Sequence, residues 1–196
     1  MSAPLSALLL SGGASRRMQA DKALLDYGGR PQLLRAWELL QRVGVAHAHV
    51  SINPGQQGDA LRAGLPTLAD TVPSVGPVAG IVTAQQAFPA HAWLVLACDL
   101  PLLDAATLQS LLDARDPDRD ATAFSSRHDG LPEPLCAIWE PSAAPLLRQR
   151  LASGHHCPRK ALLQLQIHTL PAPGNTLDNV NTPDELLRAR RQLELR

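Results

Sequence analysis

Four short apolar runs each stop at a glycine, an amide or a carboxylate, and this pattern constrains the fold more than any other feature of the chain. Leu5–Leu10 runs into Ser11 and the pair Gly12-Gly13; residues 48–52 run into Asn53; Thr67–Ala69 runs into Asp70; residues 93–97 run into Cys98-Asp99-Leu100-Pro101. Each run is too short for a helix and is bounded by turn formers, so each is predicted to be a buried strand. Helix-length stretches separate them. Pro31 opens one in which Leu33, Leu34, Trp37, Leu40 and Val43 recur at helical spacing, and Gly44 ends it. Gly76-Pro77-Val78-Ala79-Gly80 leads into a second that runs through Ala87, and Asp104 caps a third that runs to Ala114. Such alternation predicts βαβ units, hence an α/β fold in three layers around a mostly parallel central sheet. In sheets of that kind ligands bind outside the carboxyl ends of the strands. Gly12, Asn53, Asp70 and Asp99 are therefore expected on one edge of one sheet.

The second half has a different character. Ala121–Ser125 and residues 135–139 are predicted strands around a polar loop, 127–133. Helices are expected over 142–152 and 159–165, with a strand over 167–170. Thr182-Pro183-Asp184-Glu185 opens a last helix: Thr182 can cap it, Pro183 suits its first position and Glu185 can bond back to the cap. Two smaller elements are expected in the first half, an extended piece at 23–27 and a short helix at 59–63. With 196 residues, a single domain spans the chain.

Composition excludes more than it selects. Lys plus Arg equals Asp plus Glu, 18 of each, so no overall field favours nucleic acid. The three cysteines, Cys98, Cys136 and Cys157, form no C-x-x-C pair and suit a reducing compartment. No apolar run approaches membrane-spanning length and no basic leader precedes the first strand, so the expectation is a cytoplasmic protein without membrane contact. His155-His156-Cys157 lacks a partner pair at zinc-site spacing, and Ser11 and Ser15 lack a nucleophile-elbow context.

The chemistry is concentrated after the first strand. Gly12 and Gly13 let a ligand approach the backbone closely, and successive amides there can face phosphate oxygens. Arg16, Arg17 and Lys22 supply positive charge for a polyphosphate. The spacing is neither that of a Walker loop nor G-x-G-x-x-G, and a strand followed by a turn with surface cations would read the same. Asp99 is placed to hold Mg²⁺ beside substrate phosphates; a turn or helix-capping aspartate is the other reading. Asn53 could hold a ribose or base or simply form an Asn-Pro-Gly turn.

Leu10-Ser11-Gly12-Gly13-x-Ser15-x-Arg17-Met18-x-x-Asp21-Lys22 resembles the nucleotidyltransferase signature of the molybdenum cofactor guanylyltransferases. Gly76-Pro77-Val78-Ala79-Gly80 resembles their second motif, Cys98-Asp99-Leu100-Pro101 their metal motif, and Asn179-Val180-Asn181-Thr182-Pro183-Asp184-Glu185-Leu186 their C-terminal motif. The resemblance spans nearly the whole chain in the family's order. It implies a three-layer Rossmann-like nucleotidyltransferase fold, with a nucleotide-binding half over 1–115 and a pterin-substrate half over 116–196. It implies transfer of GMP from GTP, with Mg²⁺, to the terminal phosphate of molybdopterin or molybdenum-molybdopterin. The products are the guanine dinucleotide cofactor and pyrophosphate. Nucleotide contacts are implied at Leu10, Ser11, Gly12, Gly13, Lys22, Asn53, Asp70 and Asp99, catalytic roles at Lys22, Asp99 and Arg17, and the metal on Asp99. Asn179 and Asn181 are implied on the pterin side. Transient contact with molybdoenzymes or cofactor-delivery proteins is left open. Three positions depart from the pattern: Gln19 stands where glycine is usual, Ser11 where alanine is commoner, and Glu133 precedes Pro134 where an uncharged residue is frequent. A cytidylyltransferase of the same fold, another nucleotidyltransferase and a non-catalytic nucleotide-binding module are the rival readings.

Overall fold

A computed structural model of the chain describes residues 2–11, 14–15, 20–45, 47–72 and 76–195. In chain order the elements are β1 (Leu5–Leu10), β2 (Ala14–Ser15), β3 (Ala20–Asp21), α1 (Gln32–Arg42), β4 (His47–Ile52), β5 (Thr67–Ala69), α2 (Pro77–Ala87) and β6 (Ala92–Ala97). They continue with α3 (Ala105–Asp113), β7 (Ala121–Ser125), β8 (Pro132–Trp139), α4 (Ala144–Ala152), α5 (Pro158–Leu162), β9 (Ile167–Pro171) and α6 (Pro183–Glu194). A seven-stranded sheet runs in the order β5-β4-β1-β6-β8-β7-β9. Its first four strands are mutually parallel; β8 is antiparallel to both neighbours, and β9 is parallel to β7. β2 and β3 form a separate two-stranded ribbon.

The central strands are apolar throughout because helices cover both faces of the sheet. Successive side chains alternate between the two layers: Ala7 and Leu9 enter the core with α1 and α3, whereas Leu8 and Leu10 enter the core with α2 and α4. Leu94 and Leu96 follow the first pair, Trp93 and Val95 the second. Trp93 and Trp139 lie opposite each other in the β6–β8 pairing and are fully buried. α2 is buried from Val78 to Gln85, which suits a helix whose apolar residues are not confined to one face.

Local chemistry sets the boundaries. Pro31 is the N-cap of α1, and Gly44 with φ +73° leaves it. The piece expected at 23–27 is extended only from Leu25, with Asp26 bridged to Pro31; Lys22–Leu24 is a 3-10 turn, because the Asp21 carboxylate caps it by accepting from the Ala23 N–H at 2.9 Å. The short helix expected at 59–63 is a set of turns, since the Asp59 carboxylate takes the N–H groups of Leu61 and Arg62. β8 starts at Pro132, inside the expected loop, and residue 132 pairs with Ser125. α4 begins only at Ala144, after a 3-10 turn over Pro141–Ala143, and α5 stops at Leu162. Among the described residues no helix is long and apolar enough to cross a membrane.

Candidate active site

Ser11, Asn53, Asp70 and Asp99 follow β1, β4, β5 and β6 at the carboxyl edge of the parallel strands, the place expected for Asn53, Asp70 and Asp99. Gly12, Gly13, Arg16, Arg17 and Gln19 lie outside the described residues. The side chain of Leu10 belongs to the core, and its carbonyl accepts from the Cys98 N–H at 3.2 Å. Asp70 is half-buried and accepts a hydrogen bond from Ser51 Oγ at 3.1 Å. Burial raises its pKa, and the Ser51 hydrogen bond only partly opposes that. The Asn53 N–H donates to Gln56 Oε1 at 3.1 Å, which fixes the turn after β4.

The tightest constellation joins residues far apart in the chain. Lys22 Nζ lies 2.7 Å from Asp99 Oδ2 and 2.5 Å from Asn181 Oδ1. The 3-10 turn after β3 carries the lysine, the turn after β6 the aspartate, and the loop before α6 the asparagine. That loop is fixed in two ways. The Val180 N–H donates to the Asp99 carbonyl at 3.1 Å, and Val180 is buried beside Tyr27, Leu102 and Ala189. Glu185 Oε2 accepts from the N–H groups of Asn181 at 2.7 Å and Thr182 at 3.0 Å, while Thr182 Oγ1 accepts from the Glu185 N–H. Asn181 thus stands beside Lys22 and Asp99, and Asn53 and Asp70 stand apart on the outer strands. Asp99 is not a helix cap; Asp104 fills that role, accepting from the Thr107 N–H at 2.9 Å. One oxygen of Asp99, Oδ1, is buried without a hydrogen-bond partner among the described residues.

Asn179 faces a cleft of about 580 Å³ between the segment after β7, α5 and α6. Arg127 forks onto Asp178 there, and His128 also reaches that carboxylate. Burial pushes the Asp178 carboxyl up, but the bonds from Arg127 and His128 outweigh it and hold it below the usual range. Glu133 accepts from Arg159 at 2.9 Å, so its charge is paired in this cleft wall. A larger cleft, about 760 Å³, lies between α1, α3 and α6, and none of the sequence-derived site residues lines it.

Sequence reading missed Arg62. It is 1% exposed, and its guanidinium reaches Ser11, Asp21 and Asp59. A lone arginine in a polar turn carries no motif; its only sequence mark is Asp59 three residues before it.

The seven-stranded, mostly parallel sheet with helices on both faces is the fold of the α/β nucleotidyltransferases. A family model, the MobA-like NTP transferase domain, matches residues 7–169, and the chain belongs to that family. The chain is 39% identical over 185 residues to a molybdenum cofactor biosynthesis bifunctional protein of Synechocystis sp., with 93% of this chain and 52% of that protein covered. It therefore spans about half the length of that relative. It is 36% identical over 197 residues to the molybdenum cofactor guanylyltransferase of Pseudomonas aeruginosa, with 97% and 96% covered. Its fold matches the crystal structure of molybdopterin-guanine dinucleotide biosynthesis protein A from Archaeoglobus fulgidus, with a TM-score of 0.81, 24% identity, and 97% and 100% of the two chains covered.

Proposed function

We propose that this enzyme transfers GMP from GTP to the terminal phosphate of molybdopterin, or its molybdenum-loaded form, releasing pyrophosphate. The juxtaposition of Lys22, Asp99 and Asn181 carries this reading, and full-length likeness to the Pseudomonas guanylyltransferase supports it. The acceptor phosphate attacks the α-phosphorus in line, a new P–O bond forms, and the bond to the bridging oxygen of pyrophosphate breaks. The acceptor is already anionic, so the protein's work is positioning and charge neutralisation. Lys22 offsets charge on the α-phosphate and the leaving group. Asp70, Asn53 and the backbone after β1 hold the nucleoside, and the half-buried Asp70 carboxylate can accept from guanine N–H donors. Residues 116–196 supply the acceptor side, with Asn179 in the cleft wall and Asn181 linking the two substrates.

The unpaired Asp99 Oδ1 fits a Mg²⁺ ion, which takes one or two carboxylates beside phosphates and water. Among the described residues no cluster of three or more His, Cys, Asp or Glu could hold a metal, so the remaining ligands would come from substrate and solvent. When bound, the ion neutralises phosphate charge. The exposed free Cys157 is compatible with the reducing cytoplasm as the place of reaction.

Asp99→Ala tests this reading. A merely structural aspartate would lower the melting temperature and leave turnover per folded molecule unchanged. The proposal predicts a folded protein that loses most turnover, with turnover falling more than GTP affinity, and no rescue by excess Mg²⁺. Full activity in folded Asp99→Ala would refute it.

A further inference from the structure

We propose that Arg62 is a positioning residue that sets the aim of Lys22 by fixing Asp21 against the end of β1. The inference rests on the guanylyl-transfer reading. Arg62 Nε donates to Ser11 Oγ at 3.1 Å, and one Nη2 serves both the Ser11 carbonyl at 3.2 Å and Asp21 Oδ2 at 2.6 Å. Ser11 and Asp21 are the described residues that flank the glycine and arginine motif. A single planar guanidinium therefore fixes the separation of the two ends of that motif.

The carboxylate of Asp21 divides its oxygens between two tasks. Oδ2 takes Arg62, while Oδ1 caps the 3-10 turn that carries Lys22, accepting from Ala23 at 2.9 Å. The pull of Arg62 thus passes through one carboxylate into the turn that sends Lys22 to Asp99 and Asn181. Arg62 touches neither of those residues and lines no described cleft, so it acts through Lys22 and not on substrate. A second carboxylate, Asp59, lies 3.3 Å from Nη1 and helps to offset the buried charge. Burying a charged pair is a costly way to add stability, since desolvation cancels much of the attraction. Fixed geometry is the better account of an arginine that is 1% exposed in a turn. Lysine cannot replace it, because one ammonium lacks the fork that serves Ser11 and Asp21 together.

The test is a double-mutant cycle on the dissociation constant of Mg·GTP, measured by titration calorimetry well below each melting temperature. The variants are Arg62→Lys, Asp21→Asn, Lys22→Ala and the doubles with Lys22→Ala. Asp21→Asn keeps the cap acceptor and changes a partly exposed group, so it decides the question even if Arg62→Lys does not fold. Both singles are expected to weaken Mg·GTP by about tenfold, the order of one charge-assisted contact, and to add less than about twofold once Lys22 is alanine. Wild-type affinity in folded Asp21→Asn, or in folded Arg62→Lys, overturns the clamp alone. So does a loss that is equally large with and without Lys22, the mark of a general structural effect. A wild-type protein that does not bind Mg·GTP overturns the guanylyl reading and the clamp with it.

Discussion

Lys22 is the residue on which the two halves of the chain converge. Its ammonium is held by a carboxylate from the turn after β6 and an amide from the loop that precedes α6. Removing it leaves Asp99 and Asn181 without their shared donor but opens no core cavity, because the group is at the sheet edge. Lys22→Ala should therefore fold, as near-native circular dichroism would show, and lose on the order of 1.5–3 kcal/mol of GTP binding, the value of a hydrogen bond to a charged group. Calorimetric titration checks this; an unchanged GTP affinity would place the phosphates elsewhere. Legibility at this scale follows from chemistry. Lys22 and Asp99 were readable because each stands in a motif directly after a strand or loop signal. Their contact with Asn181 was not, since 159 residues separate it from Lys22 and only the β8–β7–β9 extension of the sheet brings the C-terminal loop back. Arg62 was unreadable for the converse reason: apart from Asp59 three residues before it, its partners Ser11 and Asp21 lie in a distant segment with no spacing to mark them.

At the scale of elements, two features of the helices carry the edge. Gly80 lies where α2 crosses β1 and β4. A Cβ there would come within 2.5 Å of Ser51 Oγ and 2.9 Å of Leu10 Cδ2. Ser51 is the residue that bonds Asp70, so the second glycine of the Gly76–Gly80 motif protects that hydrogen bond as well as close packing. Alanine would gain about 1 kcal/mol in helix propensity, but overpacking costs about 1–3 kcal/mol. Gly80→Ala should lower the melting temperature and weaken GTP binding together; a more stable variant with full affinity would contradict this. The other feature is the capping box of α6. Hydrogen bonds from the Asn181 and Thr182 N–H groups hold the Glu185 carboxyl below its ordinary range. A carboxyl lowered in the folded state stabilises at neutral pH, and that contribution is lost as pH falls below the ordinary glutamate range toward the folded value. Glu185→Ala should cost about 1 kcal/mol at pH 7, with the gap to wild type closing in acid; urea denaturation at a series of pH values would show it. A gap independent of pH would mean that the ionised carboxylate is not what holds Asn181. The box was legible in the sequence because capping is local. The turns at Asp59 and Lys22 were not, because a side-chain acceptor there overrode backbone periodicity.

Over the whole molecule, the spacing of the apolar runs at 5–10, 47–52, 67–69 and 92–97 was enough to give the parallel half of the sheet, with α1 before β4, turns before β5 and α2 before β6 as the crossovers. The antiparallel β8 could not be read from composition. From Cys136 on it is as apolar as the parallel strands because both of its faces are buried too, Cys136 and Ile138 entering one core and Ala137 and Trp139 the other. The result is one continuous sheet whose carboxyl edge carries Asp99 beside Lys22 and Asn181, and the proposal is that this edge joins GMP to a pterin phosphate. Turnover with molybdopterin and Mg²⁺, in parallel reactions with GTP and CTP, tests that claim most directly, with the dinucleotide and pyrophosphate both measured. Equimolar guanine dinucleotide and pyrophosphate from GTP, with little product from CTP, is the expected result. Preferential use of CTP, or pyrophosphate release without a pterin dinucleotide, would contradict it.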